Sequence, residues 1–341
     1  MLLIMPEETI LDVQNLVKYF PVKKQTFFGE KLTLKAVDDV SITLKKGETL
    51  GIVGESGCGK STLAKTIARL ISSTSGNIFY KNSDITHASF KQLQPIRPNI
   101  QYVFQDPYDS LNPRHTIQNI LEEPFLIHTH LNSVVRQQKV ESLLNKVGLP
   151  VDCLSKYPYE FSGGQRQRIG IARAIALDPD ILICDEPVSA LDVSVQSQII
   201  NLLMDLQEEL ELGIIFIAHD LAVVKHISDR IAVMYLGEIV ESANTDDLFK
   251  APQHPYTQLL MNAIPNPDPT KRNSKKPIKG ELPSPINPPS GCRFRSRCNY
   301  KTEQCKSNNP GLIFRTEKSS HESACHNTET TIKEWKSPWE F

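Results

Sequence analysis

Eight residues near the start of the chain, "GESGCGKS", have the types and the spacing of a phosphate-binding loop. They run from Gly54 to Ser61 and fit the pattern G-x-x-x-x-G-K-[ST], with an apolar run before them and a helical pattern after them. Glycines let the backbone curl so that several N–H groups point at one anion, and a helix N-terminus adds positive charge. The spacing therefore predicts a nucleotide phosphate site rather than a plain glycine-rich turn.

The predicted roles within this P-loop follow from side-chain chemistry. Lys60 is expected to reach the β- and γ-phosphates, and Ser61 to ligate Mg²⁺. Thr62 follows directly and is expected to support the phosphates. The predicted ATP-binding residues here are Gly54, Glu55, Ser56, Gly57, Cys58, Gly59, Lys60, Ser61 and Thr62.

A second motif, "DILICDEP", ends an apolar run with two carboxylates, Asp185 and Glu186. A carboxylate at the C-terminal end of a strand lies at the edge of an α/β sheet where ligands bind. We expect Asp185 to hold Mg²⁺, through water, and Glu186 to orient or deprotonate the attacking water. A strand that simply ends in a charged turn is the alternative, and the upstream P-loop makes it the weaker one.

A third motif, "FSGGQRQR", spans Phe161 to Arg168 and predicts a second anion site. Ser162 is a natural N-cap, and Gly163 and Gly164 are expected to leave the helix N-terminus uncovered. One nucleotide does not need both sites within one subunit. A head-to-tail dimer explains the pair, with Ser162, Gly163, Gly164 and Gln165 closing over the nucleotide on the partner's P-loop.

Two further polar residues follow apolar runs. His219, in "IIFIAHD", is suited to contact a γ-phosphate, although an ordinary strand-terminal histidine is the better interpretation of that residue taken alone. Gln105, in "YVFQDPY", is placed to reach Mg²⁺ or the attacking water.

Bulk composition indicates a globular protein without an electrostatic preference for nucleic acid. The chain has 341 residues, 40% of them hydrophobic and 23% charged, with a net charge of -1. The N-terminus lacks the basic region and cleavage site of a signal peptide, and no apolar stretch is long enough to span a bilayer. We therefore expect a cytoplasmic protein, in which disulfides are a poor explanation for cysteine clusters.

Strand and helix patterns alternate through most of the chain and predict an α/β protein with a largely parallel sheet. A helical insert at about 107–177 divides this body. Past Ala263 the sequence becomes rich in proline and lysine, which indicates a linker or strap. We predict a nucleotide-binding domain over 1–262 and a C-terminal extension over 263–341.

Four of the seven cysteines lie in this extension, at Cys292, Cys298, Cys305 and Cys325. Their spacing, C-x5-C-x6-C-x19-C, lacks the close pairs of structural zinc sites and differs from bacterial ferredoxin spacing. The spacing favours a metal of uncertain type over unrelated reduced thiols. Thiolate–metal bonds would stabilise a segment that has few apolar residues.

Together the motifs resemble the ATP-binding-cassette (ABC) ATPases over roughly residues 10–262. The matching elements are the P-loop (54–61), Gln105 as the Q-loop residue, the signature FSGGQ (161–165), Asp185–Glu186, the D-loop SALD (189–192) with Asp192, and His219 as the switch histidine. The resemblance implies a P-loop NTPase fold with a mixed sheet core, an antiparallel β subdomain and a helical subdomain.

Two aromatic positions are distinctive within this resemblance. Phe161 stands where the family most often has leucine, an apolar exchange that leaves phosphate contact unaffected. The family stacks an aromatic residue upstream of the P-loop on adenine. Phe20 is predicted for that role, with Tyr19 as the competitor.

Other stretches look like the ATPase subunits of bacterial dipeptide and oligopeptide importers. They are "QDPYDSLNPRHTI", "PVSALDVSVQSQI", "HPYTQLL" and "GELPSPINPPSGCRFRSRC", and the insertion "PVKKQTFFGEKLTLKAVDDV" is most similar to the F-type subunit. The resemblance implies a paralogous ATPase partner in a heterodimer, two membrane permeases and an extracytoplasmic peptide-binding protein. It places the chain on the cytoplasmic face of the inner membrane, where ATP binding closes the dimer and hydrolysis resets the permeases.

Such importer ATPases carry a C-terminal 4Fe-4S cluster on four cysteines of similar spacing. The resemblance therefore favours this cluster on Cys292, Cys298, Cys305 and Cys325, with zinc as the runner-up. Related importers move nickel or other small solutes, and a soluble cassette ATPase of DNA repair or translation is a more distant alternative. The chain has no sustained heptads and only one cassette, which argues against that last class.

Overall fold

The structure is a computed structural model that describes residues 8–22, 32–264, 283–314 and 320–335. Most of the linker expected after Ala263 and part of the insertion after Pro21 lie outside these ranges.

Strands and helices alternate along the described chain, as the sequence predicts. The strands are β1 (Thr9–Pro21), β2 (Thr33–Lys45), β3 (Thr49–Val53), β4 (Ser75–Tyr80), β5 (Ser83–Asp84), β6 (Ile100–Val103), β7 (Ile181–Asp185), β8 (Gly213–Ala218), β9 (Arg230–Tyr235), β10 (Glu238–Asn244), β11 (Ile313–Phe314) and β12 (Glu322–Ser323). The α-helices are α1 (Lys60–Ile67), α2 (Phe90–Leu93), α3 (Pro107–Ser110), α4 (Ile117–His128), α5 (Ser133–Lys146), α6 (Gly163–Ala174), α7 (Val193–Leu210), α8 (Leu221–Ile227), α9 (Thr245–Lys250), α10 (Pro255–Ala263), α11 (Gln304–Ser307) and α12 (Thr328–Glu334). Short 3₁₀ turns cover Arg97–Asn99, Val151–Ser155 and Pro158–Glu160.

The described residues group into two compact units. The first contains 8–11, 43–49 and 80–217, and the second contains 12–22, 32–42, 50–79, 218–264, 283–314 and 320–335. The predicted domain boundary at 262 and 263 falls within the second unit and stays a prediction.

The first unit is built around three parallel strands in the order β6-β7-β8. Every residue of β7 is buried, which is why its first four residues form a continuous apolar run rather than an alternating one. Helices α3 to α6 lie between β6 and β7 in the chain and form the expected helical insert. The insert separates two neighbouring strands without interrupting their pairing, so both strands end at the same edge of the sheet.

The second unit combines parallel and antiparallel pairing in the order β3-β9-β10-β12-β11. Strand β3 runs parallel to β9, while β9, β10, β12 and β11 pair antiparallel in turn. A second sheet in this unit has the order β2-β1-β4. The mixed sheet implied by the family resemblance is therefore confirmed. The largely parallel sheet expected from the alternating strands and helices describes only the parallel pairs.

Among the helices of the described residues, none is both long enough and apolar enough to cross a membrane.

Candidate nucleotide-binding site

The P-loop of the second unit connects β3, which ends at Val53, to α1, which begins at Lys60. Gly59 precedes the helix with φ of 113°, a left-handed conformation that side chains disfavour. A Cβ atom there would lie 2.0 Å from the carbonyl oxygen of Ala36. Glycine at position 59 is therefore required by the close approach of a neighbouring backbone as well as by the turn.

The side chain of Lys60 lies along the loop that precedes it. Lys60 is 4% exposed, and its Nζ donates hydrogen bonds to the carbonyl oxygens of Gly54 at 2.8 Å and Glu55 at 3.2 Å. Cys58 Sγ lies 3.9 Å from the same ammonium group. Burial raises the pKa of the Cys58 thiol, which keeps this thiol protonated beside the ammonium group.

The backbone N–H of Glu55 donates a 2.8 Å hydrogen bond to the hydroxyl of Tyr256 at the start of α10. His254 caps this helix, because its Nδ1 accepts from the N–H of Tyr256 at 3.1 Å. Sequence reasoning used "HPYTQLL" only for its resemblance and missed that its tyrosine contacts the P-loop. The buried aromatic just inside a capped helix is the signal available there.

The two aromatic candidates for adenine stacking differ in their surroundings. The hydroxyl of Tyr19 donates to the carboxylate of Asp38, while the ammonium of Lys35 lies 5.3 Å from the Tyr19 ring centroid. Phe20 is 36% exposed and has Lys18 over its ring. The choice of Phe20 over Tyr19 for adenine stacking stays a prediction.

In the first unit, the carboxylates predicted at the end of β7 have distinct partners. Asp185, which is buried, accepts a 2.7 Å hydrogen bond from the hydroxyl of Tyr102. Glu186 follows β7 with φ of 47°, in the left-handed region, and its N–H donates to the carbonyl of Ile217 at 3.0 Å. Non-glycine residues in this region are uncommon and occur in turns and at functional sites. Gln105 Nε2 donates to Glu186 Oε2 at 2.8 Å, so two predicted site residues of this unit touch each other.

The FSGGQ motif begins α6, as expected from its N-cap. Ser162 Oγ accepts from the N–H of Gln165 at 3.3 Å, and Gln165 Oε1 accepts from the N–H of Ser162 at 3.0 Å, which completes a capping box. Ser162 and Gln165 are exposed. The sequence predicted that Gly164 leaves the N-terminus of α6 uncovered, but Gly164 is buried. A Cβ atom there would lie 2.4 Å from Cγ1 of Val195.

The remaining motif residues lie where their strands and helices predict. Asp192 caps α7, and hydrogen bonds from the Ser194 hydroxyl and the Val195 N–H hold the pKa of its carboxyl below the ordinary value. His219 is exposed immediately after β8.

All seven cysteines lie in described residues, and none of them forms a disulfide bond. The thiols of Cys292 and Cys298 interact electrostatically with those of Cys305 and Cys325. Burial raises the pKa of Cys292 to about 11 and that of Cys298 to about 12. Within the described ranges, however, no group of three or more histidine, cysteine, aspartate or glutamate side chains is arranged to hold a metal ion. The predicted cluster therefore has no support from the side-chain arrangement.

Comparison with known proteins decides the family. A family model described as "ABC transporter" matches residues 37–189, and one described as "Oligopeptide/dipeptide transporter, C-terminal region" matches residues 240–305. The oligopeptide transport ATP-binding protein AppF of Bacillus subtilis is 52% identical over 94% of this chain and 98% of that protein. The chain belongs to the family of ABC transporter ATP-binding subunits.

Similarity to other ABC proteins supports this family membership. The dipeptide transport ATP-binding protein DppF of Haemophilus influenzae is 50% identical over 90% of this chain and 94% of that protein. The ATP-binding cassette MJ0796, solved as a dimer in a post-hydrolysis state with ADP and Pi, superposes with a TM-score of 0.62 at 28% identity, over 69% of this chain and 99% of that one. The predicted family and the predicted ATPase class are confirmed, and ATP with Mg²⁺ is the expected nucleotide of the class.

Proposed function

We propose that this ABC ATPase powers the import of dipeptides or oligopeptides. The observation that carries the proposal is the match of residues 240–305 to the C-terminal region of oligopeptide/dipeptide transporters, beyond the ABC match at 37–189. Relatives at 50% to 52% identity are named for the transport of oligopeptides or dipeptides, and they align over nearly the whole chain.

The proposed assembly is a heterodimer of this chain with a paralogous ATPase, bound to two membrane permeases and served by an extracytoplasmic peptide-binding protein. The dimeric structure of MJ0796 supports the pairing of two cassettes. The chain then lies at the cytoplasmic face of the inner membrane as a peripheral subunit. The match to transporter subunits argues against a nucleic acid partner.

The site residues keep the roles predicted from their motifs. Lys60 and the P-loop amides bind the phosphates, Ser61 and Asp185 belong to the proposed Mg²⁺ ligands together with Gln105, and Glu186 activates water. The hydrogen bond from Gln105 to Glu186 supports their joint role. In this proposal His219 contacts the γ-phosphate, Phe20 stacks on adenine, and Ser162 with its glycines contacts the partner's nucleotide.

The 4Fe-4S cluster on Cys292, Cys298, Cys305 and Cys325 is likewise a proposal. Its support is chemical: sulfur of Cys298 accepts an N–H bond from Tyr300 at 3.3 Å. A cluster would supply four thiolate–iron bonds to a segment with little core of its own. Anaerobically purified protein is expected to be brown and to contain about four irons per chain. Colourless protein that contains zinc, or no metal, overturns the cluster.

Uptake by whole cells tests the transport function. A strain that lacks this chain is expected to lose uptake of labelled dipeptides or oligopeptides and to regain it with the wild-type chain but not with Glu186→Gln. Loss of nickel uptake with intact peptide uptake would instead favour the related importers. If the tagged chain is purified together with ribosomal or DNA-repair proteins instead of permeases, both the peptide-import and the nickel-import function are contradicted.

A further inference from the structure

The P-loop residue Glu55 is held by an arginine that lies far away in the sequence. Arg297 Nη1 donates to Glu55 Oε2 and Nη2 donates to Glu55 Oε1, each at 2.8 Å. The Arg297 side chain is 4% exposed and the Glu55 side chain 23%. Paired parallel bonds between guanidinium and carboxylate are stronger and more directional than a single contact. This ion pair therefore fixes the direction of the Glu55 side chain.

The segment that presents Arg297 is itself anchored in the second unit. The ring centroid of Phe294 lies 5.3 Å from that of Tyr235 and 5.5 Å from that of Tyr256. Arg293 forms ion pairs with one carboxylate in β2 and another in β10. Because Arg293, Phe294 and Arg297 lie within one short loop, their contacts with the unit hold the guanidinium of Arg297 in place.

Glu55 contributes its backbone to the phosphate-binding loop, so its charge matters there. Its carbonyl accepts from Lys60 Nζ at 3.2 Å, and its N–H donates to Tyr256. A carboxylate at a loop that binds a polyphosphate opposes the binding of that anion, and a partly buried site screens the repulsion poorly. Arg297 neutralises this charge and turns the carboxylate toward itself.

We propose that Arg297 is a positioning residue of the ATP site, which orients and neutralises Glu55 so that the loop at 291–298 sets the affinity of the P-loop for ATP. The inference rests on the ATP-binding role of the P-loop and is independent of the transported solute.

The test measures the ATP affinity of the purified full-length chain, by competition with a fluorescent ATP analogue, together with kcat for ATP hydrolysis. Arg297→Ala is expected to weaken ATP binding about tenfold or more, with a smaller change in kcat, because truncation leaves Glu55 uncompensated. The double variant Arg297→Ala with Glu55→Gln is expected to recover most of the lost affinity, because it has no carboxylate to neutralise. A purely structural role of Arg297 predicts no such recovery.

The matched control is Arg295→Gln, since Arg295 belongs to the same loop but its guanidinium donates to Ser290 Oγ and the carbonyl of Lys306 rather than to Glu55. Its ATP affinity is expected to equal that of the wild type. An Arg297→Ala affinity within twofold of the wild type, or a double variant as weak as the single one, overturns the inference. If Arg297→Ala does not fold, Arg297→Gln replaces it, because it removes the charge and keeps most of the side-chain length: weaker ATP binding that Glu55→Gln restores supports the inference, and unchanged binding overturns it. A wild-type chain that binds no ATP would refute the proposed function itself.

Discussion

Gln105 Nε2 donates a 2.8 Å hydrogen bond to Glu186 Oε2, which joins the end of β6 to the end of β7. These strands are neighbours in the sheet although the helical insert separates them in the sequence. The bond orients the carboxylate that is proposed to activate water. An effect of Gln105 on the chemical step is therefore predicted.

Glu186→Gln is expected to retain ATP binding and to lower turnover by about 100-fold or more, because the amide cannot accept a proton from water. Nucleotide binding and phosphate release measured on the same preparation check this. Near-normal hydrolysis by the variant would remove Glu186 from its proposed role.

Gln105→Ala is expected to lower kcat while it leaves the ATP affinity nearly unchanged, since it removes the hydrogen bond from Gln105 to the Glu186 carboxylate without removing that carboxylate. Steady-state kinetics over a range of ATP concentrations separate the two effects. Gln101→Ala is a matched control, because Gln101 bonds to the carbonyl of Arg97 instead. A variant in which only the affinity changes contradicts the orienting role of Gln105.

Gly164→Ala is expected to destabilise the protein by about 1–3 kcal/mol, because the new methyl group would overlap Val195. The predicted Cβ lies 2.4 Å from Cγ1 of Val195, while its distance to Cβ of Val195 is 3.7 Å. Adding Val195→Ala is therefore expected to restore most of the stability. Denaturant unfolding of Gly164→Ala, Val195→Ala and the double variant measures this coupling. If the two single effects simply add up in the double variant, the two sites are independent.

Tyr256→Phe is expected to cost about 1–3 kcal/mol of unfolding free energy, because it leaves the Glu55 N–H without its acceptor. Tyr159→Phe serves as the control, since Tyr159 is 61% exposed. Chemical denaturation monitored by fluorescence compares the two. If Tyr256→Phe were as stable as Tyr159→Phe, the Tyr256 hydroxyl would contribute nothing to the stability of the P-loop.

The stability of the second unit is expected to fall in acid through His254. Burial lowers the pKa of His254 from an ordinary value of 6.5 to about 3. Between these values the unfolded chain binds a proton that the folded chain does not, so stability is lost as the pH falls below 6.5. The slope from this single group is at most about 1.4 kcal/mol per pH unit.

His254→Asn is expected to remove this part of the acid sensitivity, because asparagine can cap α10 without titrating. Unfolding free energies at pH 7 and pH 5 give the slope, and exposed His226 provides the control substitution. An unchanged slope in His254→Asn would show that other groups cause the acid sensitivity.

Much of the nucleotide site was predictable because its chemistry is local. The backbone of "GESGCGKS" needs glycines and a lysine within eight positions, and the structure places a strand before this motif and a helix after it. The cap of α6 by Ser162 and Gln165 was predictable for the same reason. The burial of Gly164 was not, because Val195, which contacts it, lies in a different helix.

By itself, the sequence determined the ATPase motifs, their order and the family they indicate, because each motif consists of neighbouring residues whose backbone conformation and side chains act together. Only the tertiary structure decided that Arg297 neutralises Glu55 and that the Tyr256 hydroxyl accepts a hydrogen bond from the Glu55 N–H. Arg297 and Tyr256 lie 242 and 201 residues from Glu55 in the sequence. Contacts across such distances depend on how β9, β10 and α10 pack. That packing arises from the whole buried core, which no short pattern of residues encodes.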